Sequence, residues 1–256
     1  MERAQPTPVE LRYYGYGDES ITDEIITFGT AIFAIDRVPQ AELAIAQAKT
    51  SIGLDQNEEI HSRVMFHAPA RRNTAWEKIH PDDIFAMVTR LFEELKNIGE
   101  RPLIFVSPPL ELKIPGPDEK KDRETQLKGK GLASLGFQNI HFHLVQRYGY
   151  GGIKIWVDPD KSKIPWLGGR RNQANSTRSG VVDLGPGIEP PRVAPEISEC
   201  PNPKLLEAAD LYTYVTAQAY SQKGGEKVRR FQELFKLIYP EQVFFEPAQE
   251  TKWERT

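Results

Sequence analysis

The pattern of hydrophobic and polar positions begins with two segments that are both typical of β-strands. The first, from Leu11 to about Gly17, is rich in tyrosine, which suits a half-buried pleated surface. The second, from Ile25 to Ile35, is β-branched and almost continuously apolar, as a central strand of a sheet would be. Only a short link separates the two segments, so the pattern predicts an antiparallel hairpin.

Further along the chain, helical spacing of three and four residues alternates with short apolar or alternating runs. This pattern predicts helices at about 38–51, 81–98, 124–148, 203–219 and 227–238, and strands at about 58–66, 101–107, 153–157 and 193–199. Strands that alternate with helices predict an α/β fold with a mixed central β-sheet and helices on both faces. We expect a disordered lead-in at 1–10, one domain at 11–240 with a long loop at 161–191, and an irregular tail at 241–256.

Composition narrows the class of protein. The 256 residues are 39% hydrophobic and 27% charged, which is typical of a soluble globular protein. The net charge of −3 does not attract nucleic acid over the whole surface, so such binding would need a local basic patch. The single cysteine, Cys200, excludes an internal disulfide and fits a cytoplasmic protein. No apolar run approaches the ~18 residues of a membrane span, and neither a phosphate-binding Walker loop nor a nucleophile elbow is present.

Acidic residues recur near the ends of the predicted strands. Asp18 and Glu19 follow the first strand, Glu59 opens the third, and Asp158 follows the strand at 153–157. Asp210 lies among apolar residues of a predicted helix, where a lone carboxylate is uncommon unless it is paired or bound to metal. Simpler alternatives remain at this point, namely a turn at residues 17–20 and a salt bridge from Asp210 to a Lys or Arg.

Convergence of these acids would have a chemical consequence. Two carboxylates about 5 Å apart repel each other by roughly 3 kcal/mol at an effective dielectric constant of about 20. A folded protein tolerates such a cluster by protonating one member or by binding cations, and carboxylate oxygens are the ligands that Mg²⁺ and Mn²⁺ prefer. Two such ions about 3.5–4 Å apart can hold a phosphodiester for attack by water.

Basic and histidine side chains supply further candidates. Arg170, Arg171 and Arg178 in the long loop could bind phosphate groups, or they could simply belong to a solvated loop. His61 shares a predicted strand face with Glu59 and is either a proton shuttle or a surface histidine. His141 and His143 could bind a metal on a strand, but their spacing directs them apart on the helix predicted there.

Four short motifs together resemble one protein family. They are Tyr-Gly-Asp-Glu-Ser at 16–20, Glu-Ile-His at 59–61, Val-Asp at 157–158 and Leu-Leu-Glu-Ala-Ala-Asp-Leu at 205–211. They resemble the domain-of-unknown-function-3800 family of bacteria and phages, over about residues 11–220. That family is similar to the RNase H-like superfold, in which catalytic acids lie at the end of strand one, on a neighbouring element, after a later strand and on a final helix.

The resemblance implies metal-dependent phosphodiester chemistry at named positions. Asp18, Asp158 and Asp210 would be direct ligands of Mg²⁺ or Mn²⁺, Glu59 a bridging or second ligand, Glu19 a nearby helper, and water the nucleophile. One departure concerns Glu59, because an RNase H-like chain runs through three antiparallel strands before its first helix. Here a helix is predicted at about 38–51, between the second and third strands, and the insertion at 161–191 also departs from the family.

The sequence therefore predicts a nuclease or a related phosphodiester hydrolase that acts on DNA or RNA through a carboxylate-bound two-metal site. An alternative of a different class is a non-catalytic interaction module of a phage or mobile-element defence system. Such a module would keep the fold and use the loop at 161–191 to bind a partner.

Overall fold

The protein is described by a computed structural model that covers residues 9–22, 25–107, 140, 143–149, 151–157, 196–199, 204–221, 224–238 and 240–244. Its centre is a mixed sheet in the order β5-β4-β1-β2-β3-β6. Strand β1 is antiparallel to β2 and β2 to β3, whereas the pairs β1–β4, β4–β5 and β3–β6 are parallel. The strands are β1 Tyr13–Ile21, β2 Ile26–Ala34, β3 Glu100–Val106, β4 Ile153–Val157, β5 Glu196–Glu199 and β6 Glu241–Phe244.

Six helical segments accompany the sheet in the described residues, together with three 3₁₀ turns. They are α1 Val38–Thr50, α2 Ser62–Phe66, α3 Pro81–Ile98, α4 at 143–148, α5 Lys204–Ala219 and α6 Glu226–Ile238. Helix α3 shows how local sequence sets the bounds, since Pro81 is at its start and Gly99 follows its end. No helix in these residues is long and apolar enough to cross a membrane.

The two faces of the sheet bury separate cores, so the predicted α/β fold with a mixed sheet is confirmed. Alternate side chains of β1 and β2 pack against a large core that includes α1, α3, α5 and α6. The other face packs against a smaller core, to which Ile140, Leu144 and Tyr148 contribute. Helices thus cover both faces of the sheet within the described part of the chain.

Helix α5 lies close to the middle of the sheet because β2 has a glycine there. A Cβ atom added at Gly29 would be 2.8 Å from Cγ2 of Thr213, so a side chain at position 29 would force the helix outward. The Thr27 hydroxyl also donates a hydrogen bond of 3.0 Å to the carbonyl oxygen of Thr213. This close approach brings α5 beside β1 and β2.

Three sequence predictions need correction. The strand predicted at 58–66 is wrong: residues 62–66 form α2, and the buried residues Ser62, Met65 and Phe66 have helical spacing. Strand β1 continues past Gly17 to Ile21, so Asp18 and Glu19 lie within it rather than after it. The tail is not wholly irregular, since residues 241–244 pair with β3 as β6. The helix predicted at 124–148 is confirmed at Ile140 and 143–148, and the loop at 161–191 lies outside the described residues.

Candidate active site

Two of the predicted acids, Asp18 and Asp210, lie on the same face of the sheet. Asp18 is opposite Gly29 in the β1–β2 ladder, and α5 packs over Gly29 through Thr213. Asp210 precedes Thr213 by one turn of α5, and the two carboxylates interact electrostatically. The structure thus brings together residues that are far apart in the sequence, one from β1 and one from α5.

Asp210 is held by the loop that leads into α2. The backbone N–H of Ser62 donates a hydrogen bond of 2.7 Å to Oδ2 of Asp210, and Nδ1 of His61 is 3.9 Å from the same oxygen. The Asp210 side chain is 19% exposed, whereas that of His61 is 57% exposed. Among the described residues, no Lys or Arg lies within ion-pair distance of Asp210, so the salt bridge considered from the sequence is not found there.

The surroundings of Asp210 disfavour its charge. Burial raises the pKa of Asp210, the negative charge of Asp18 raises it further, and the Ser62 N–H and His61 oppose the rise, giving a pKa of about 6. Asp210 therefore loses a proton just below neutral pH and then faces a second carboxylate. A bound cation would relieve this repulsion, which is why the pair fits a site for a hard metal ion.

The side chains of Glu19 and Glu59 do not lie with the carboxylates of Asp18 and Asp210. Glu19 is opposite Phe28, which belongs to the smaller core, so the side chain of Glu19 lies on the other face of the sheet from Asp18. Its backbone N–H nevertheless donates to Oδ1 of Asp18 at 2.7 Å. Glu59 is exposed in the loop before α2, where its charge adds to the rise that burial causes in the pKa of Glu207.

The remaining predicted residues, Asp158, Arg170, Arg171 and Arg178, lie outside the described residues. Within the described part, no three His, Cys, Asp or Glu side chains are arranged to hold a metal ion. The described donors are therefore two carboxylates, Asp18 and Asp210, with His61 at the exposed edge. Oxygen donors of this kind suit Mg²⁺ or Mn²⁺, and a complete site requires further ligands.

Sequence reasoning missed a buried ion pair beside this site. Nζ of Lys49 on α1 is 2.8 Å from Oε1 and 2.7 Å from Oε2 of Glu207 on α5, and the two side chains are only 1% and 6% exposed. Burial raises the pKa of Glu207 to about 7, and the contact with Lys49 opposes this rise. The spacing contained a signal, because Lys49 follows the buried residues Ala41 and Ile45 at intervals of four on one side of α1.

Comparison with known proteins gives this chain no relative: no family model, no curated protein and no solved structure matches it. The likeness to the domain-of-unknown-function-3800 family therefore stays a prediction from the four motifs.

Proposed function

We propose that this protein is a metal-dependent phosphodiester hydrolase with an RNase H-like fold and that its substrate is DNA or RNA. The observation that carries the proposal is the pairing of Asp18 with Asp210, two carboxylates on one face of the sheet. Burial raises the pKa of Asp210, the negative charge of Asp18 raises it further, and no Lys or Arg in the described residues lies within ion-pair distance of Asp210. Perturbed carboxylates of this kind cluster at functional sites more than elsewhere.

The topology supports the proposed fold. Strands β1, β2 and β3 are consecutive antiparallel neighbours, and β4 and β5 run parallel to β1 on its other side. Helix α5, which follows β5 in the chain and precedes α6, packs over β1 and carries Asp210. Helices α1, α2 and α3 lie between β2 and β3, so the departure expected from the sequence is an insertion that leaves the antiparallel pairing unchanged.

A third acid enters the proposal through the parallel pairing of β1 with β4. Val157 is opposite Gly17, the residue before Asp18, and Asp158 directly follows Val157 in the sequence. We therefore include Asp158 with Asp18 and Asp210 as the proposed ligand set. Glu59 lies in a loop near Glu207, so it is a weaker candidate than the sequence suggested.

In this proposal Asp18 and Asp210 would hold Mg²⁺ or Mn²⁺. When bound, such an ion lowers the pKa of a water molecule and stabilises charge on a phosphodiester. The Ser62 N–H holds the Asp210 carboxylate in place by donating to its Oδ2. The exposed ring of His61, beside the same oxygen, is placed to exchange a proton with solvent.

The test compares Asp18→Asn and Asp210→Asn with the matched control Asp36→Asn, a change at an exposed aspartate on the 3₁₀ turn before α1. Mn²⁺ binding is measured by calorimetry, and hydrolysis is measured with labelled DNA and RNA oligonucleotides. We expect each site variant to weaken Mn²⁺ binding and reduce hydrolysis by about 100-fold or more, because a lost ligand should cost at least as much as a lost outer partner of a metal site. The control should match wild type.

The two assays separate the proposal from its alternative. A wild-type protein that binds no Mn²⁺ and cleaves neither substrate would overturn the hydrolase and favour the interaction module. Full activity in both site variants would show that the reaction, if present, takes place elsewhere on the protein.

A further inference from the structure

A cavity of about 480 Å³ lies away from the acid pair, between α2, the start of α3 and the start of α6. One part of its wall is apolar and includes Met65, Ile84 and Phe85. The remainder is mostly charged, with Arg71, Lys227 and Arg230 accompanied by Glu226. The volume is within the range of sites that bind small organic ligands.

Two of the cations in the cavity have no acidic partner. A guanidinium N–H of Arg71 donates to the carbonyl oxygen of Ile79 at 2.7 Å, and Nζ of Lys227 donates to that of Phe66 at 2.8 Å. No carboxylate in the described residues lies within ion-pair distance of either side chain. Carbonyl oxygens orient these cations but supply only partial negative charge.

The third cation in the cavity is neutralised. Nη1 of Arg230 is 2.6 Å from Oδ1 of Asp82, and its guanidinium carbon lies 3.8 Å from the centre of the Phe85 ring. The Arg230 guanidinium therefore lies over the Phe85 ring and is paired with Asp82. The charges of Arg71 and Lys227 remain available to a ligand.

Arg71 and Lys227 are two positive charges close together in the cavity, just as Asp18 and Asp210 are two negative charges close together at the acid pair. Although Lys227 is exposed, partial desolvation lowers its pKa, and the positive charge of Arg71 lowers it further. Lys227 also lies in the first turn of α6, where the free backbone N–H groups of a helix favour anions. An anion placed between the two side chains would remove their repulsion.

We infer that this cavity binds a small organic phosphate whose phosphate group lies between Arg71 and Lys227. A phosphate monoester carries about −1.5 to −2 charges at pH 7, which matches two cations better than a single carboxylate does. The organic part of the ligand would pack against Met65, Ile84 and Phe85. This inference does not depend on the proposed hydrolase, because none of these residues belongs to the acid pair and no metal is required.

The test uses AMP, inorganic phosphate and adenosine as probes, with binding to the full chain measured by calorimetry in the absence of divalent metal. Adenosine has the organic part without the charge, and inorganic phosphate has the charge without the organic part. We expect AMP to bind more tightly than inorganic phosphate, and adenosine to bind weakest.

Paired variants test the two cations. Arg71→Gln and Lys227→Gln should each weaken AMP binding by about tenfold or more, the loss typical of one hydrogen bond to a charged group. Their controls, Arg72→Gln and Arg229→Gln, alter exposed neighbours that do not line the cavity and should bind like wild type. Lys227→Arg keeps the charge and should retain most of the affinity, which a purely structural role of Lys227 would not explain.

Two results would overturn the inference. The first is that neither AMP nor phosphate binds the wild-type protein at up to about 10 mM, far above the range of a built site. The second is that AMP binds equally to wild type and to a folded Arg71→Gln/Lys227→Gln double variant, with folding checked by its melting temperature.

Discussion

At the scale of single residues, Asp210 combines a favourable contact with an unfavourable charge. Its carboxylate accepts a hydrogen bond of 2.7 Å from the Ser62 N–H, and this bond joins α5 to the start of α2. The same carboxylate is mostly buried beside Asp18, which raises its pKa from 3.8 to about 6. The charge therefore costs folding free energy that the hydrogen bond only partly offsets.

This balance predicts that Asp210→Asn stabilises the metal-free protein at pH 7–8. A carboxyl pKa that is raised in the folded state gives a penalty that is complete above about pH 6 and absent below about pH 3.8. The amide can still accept from Ser62, so we expect a gain of about 1–3 kcal/mol at neutral pH, falling to near zero at pH 4. Urea denaturation across this pH range checks it; a large loss of stability at pH 7 would mean that the Asp210 charge supports the fold.

The buried pair of Lys49 and Glu207 predicts a different result. Lys49→Met leaves Glu207 buried without its cation, which should cost about 3–5 kcal/mol at pH 8. The loss should shrink as the pH falls and Glu207 takes up a proton. The double variant Lys49→Met/Glu207→Leu removes both charges, so it should recover most of the lost stability.

Chemical denaturation of the two single variants and the double variant forms the cycle that measures this coupling. Lys78→Met, at an exposed lysine, serves as the control for the loss of a surface charge. If the loss in free energy of unfolding in the double variant equals the sum of the losses in the two single variants, Lys49 and Glu207 do not stabilise each other.

At the scale of elements, Gly29 predicts how closely α5 can approach the sheet. Gly29→Ala would place a methyl group 2.8 Å from Cγ2 of Thr213, so we expect a loss of about 1–3 kcal/mol as the helix moves outward. Thr213→Ser removes that Cγ2 atom and keeps the hydroxyl that donates to the Ala209 carbonyl. Combined with Gly29→Ala, it should restore most of the stability, as judged by melting temperature.

The single variant Thr213→Ser gives the baseline for this comparison. If Asp18 and Asp210 bind Mn²⁺, Gly29→Ala should also weaken that binding, since it moves α5 relative to β1. Failure of Thr213→Ser to restore stability would place the strain elsewhere, for example at the Ile104 side chain, which is 3.4 Å from the added atom.

The elements with strong periodicity could be predicted from the sequence, whereas the short helix α2, which lies between β2 and α3 in the chain, could not. Helix α3 and strand β2 have bounds within a residue or two of those predicted. Residues 59–66 alternate like a strand, yet Ser62–Phe66 is a helix because its start is fixed by a carboxylate from α5. Such a partner, distant in the sequence, gives no local pattern.

The same distinction applies to the candidate site. Asp18 could be selected as an acid near the end of a predicted strand and Asp210 as an acid among apolar residues of a predicted helix, and the structure pairs them. The face of Glu19 could also have been predicted, since adjacent residues of a strand point to opposite sides. The partner of Lys49 could not, because contact between α1 and α5 is set by packing rather than by spacing in either helix.

At the scale of the whole molecule, short helix α2 joins two sites of opposite charge. Its first residue, Ser62, donates to Asp210, and its last, Phe66, accepts from Lys227 through its carbonyl oxygen. These residues are about 6 Å apart along a helix axis at 1.5 Å per residue. Although the net charge is only −3, charge is separated locally, with the acidic pair at the start of α2 and the basic cavity at its end.

The pairing of β1 with β4 also has a consequence for biosynthesis. The β1–β2 hairpin can form soon after its residues leave the ribosome, whereas β4, the other neighbour of β1, and helix α5, which packs over β1, come late in the chain. Until α5 has been synthesised, the tyrosine-rich face of that hairpin has no cover from that helix. We therefore expect nascent chains to rely on chaperones that shield apolar surface, and to acquire the acid pair only in the last stage of folding.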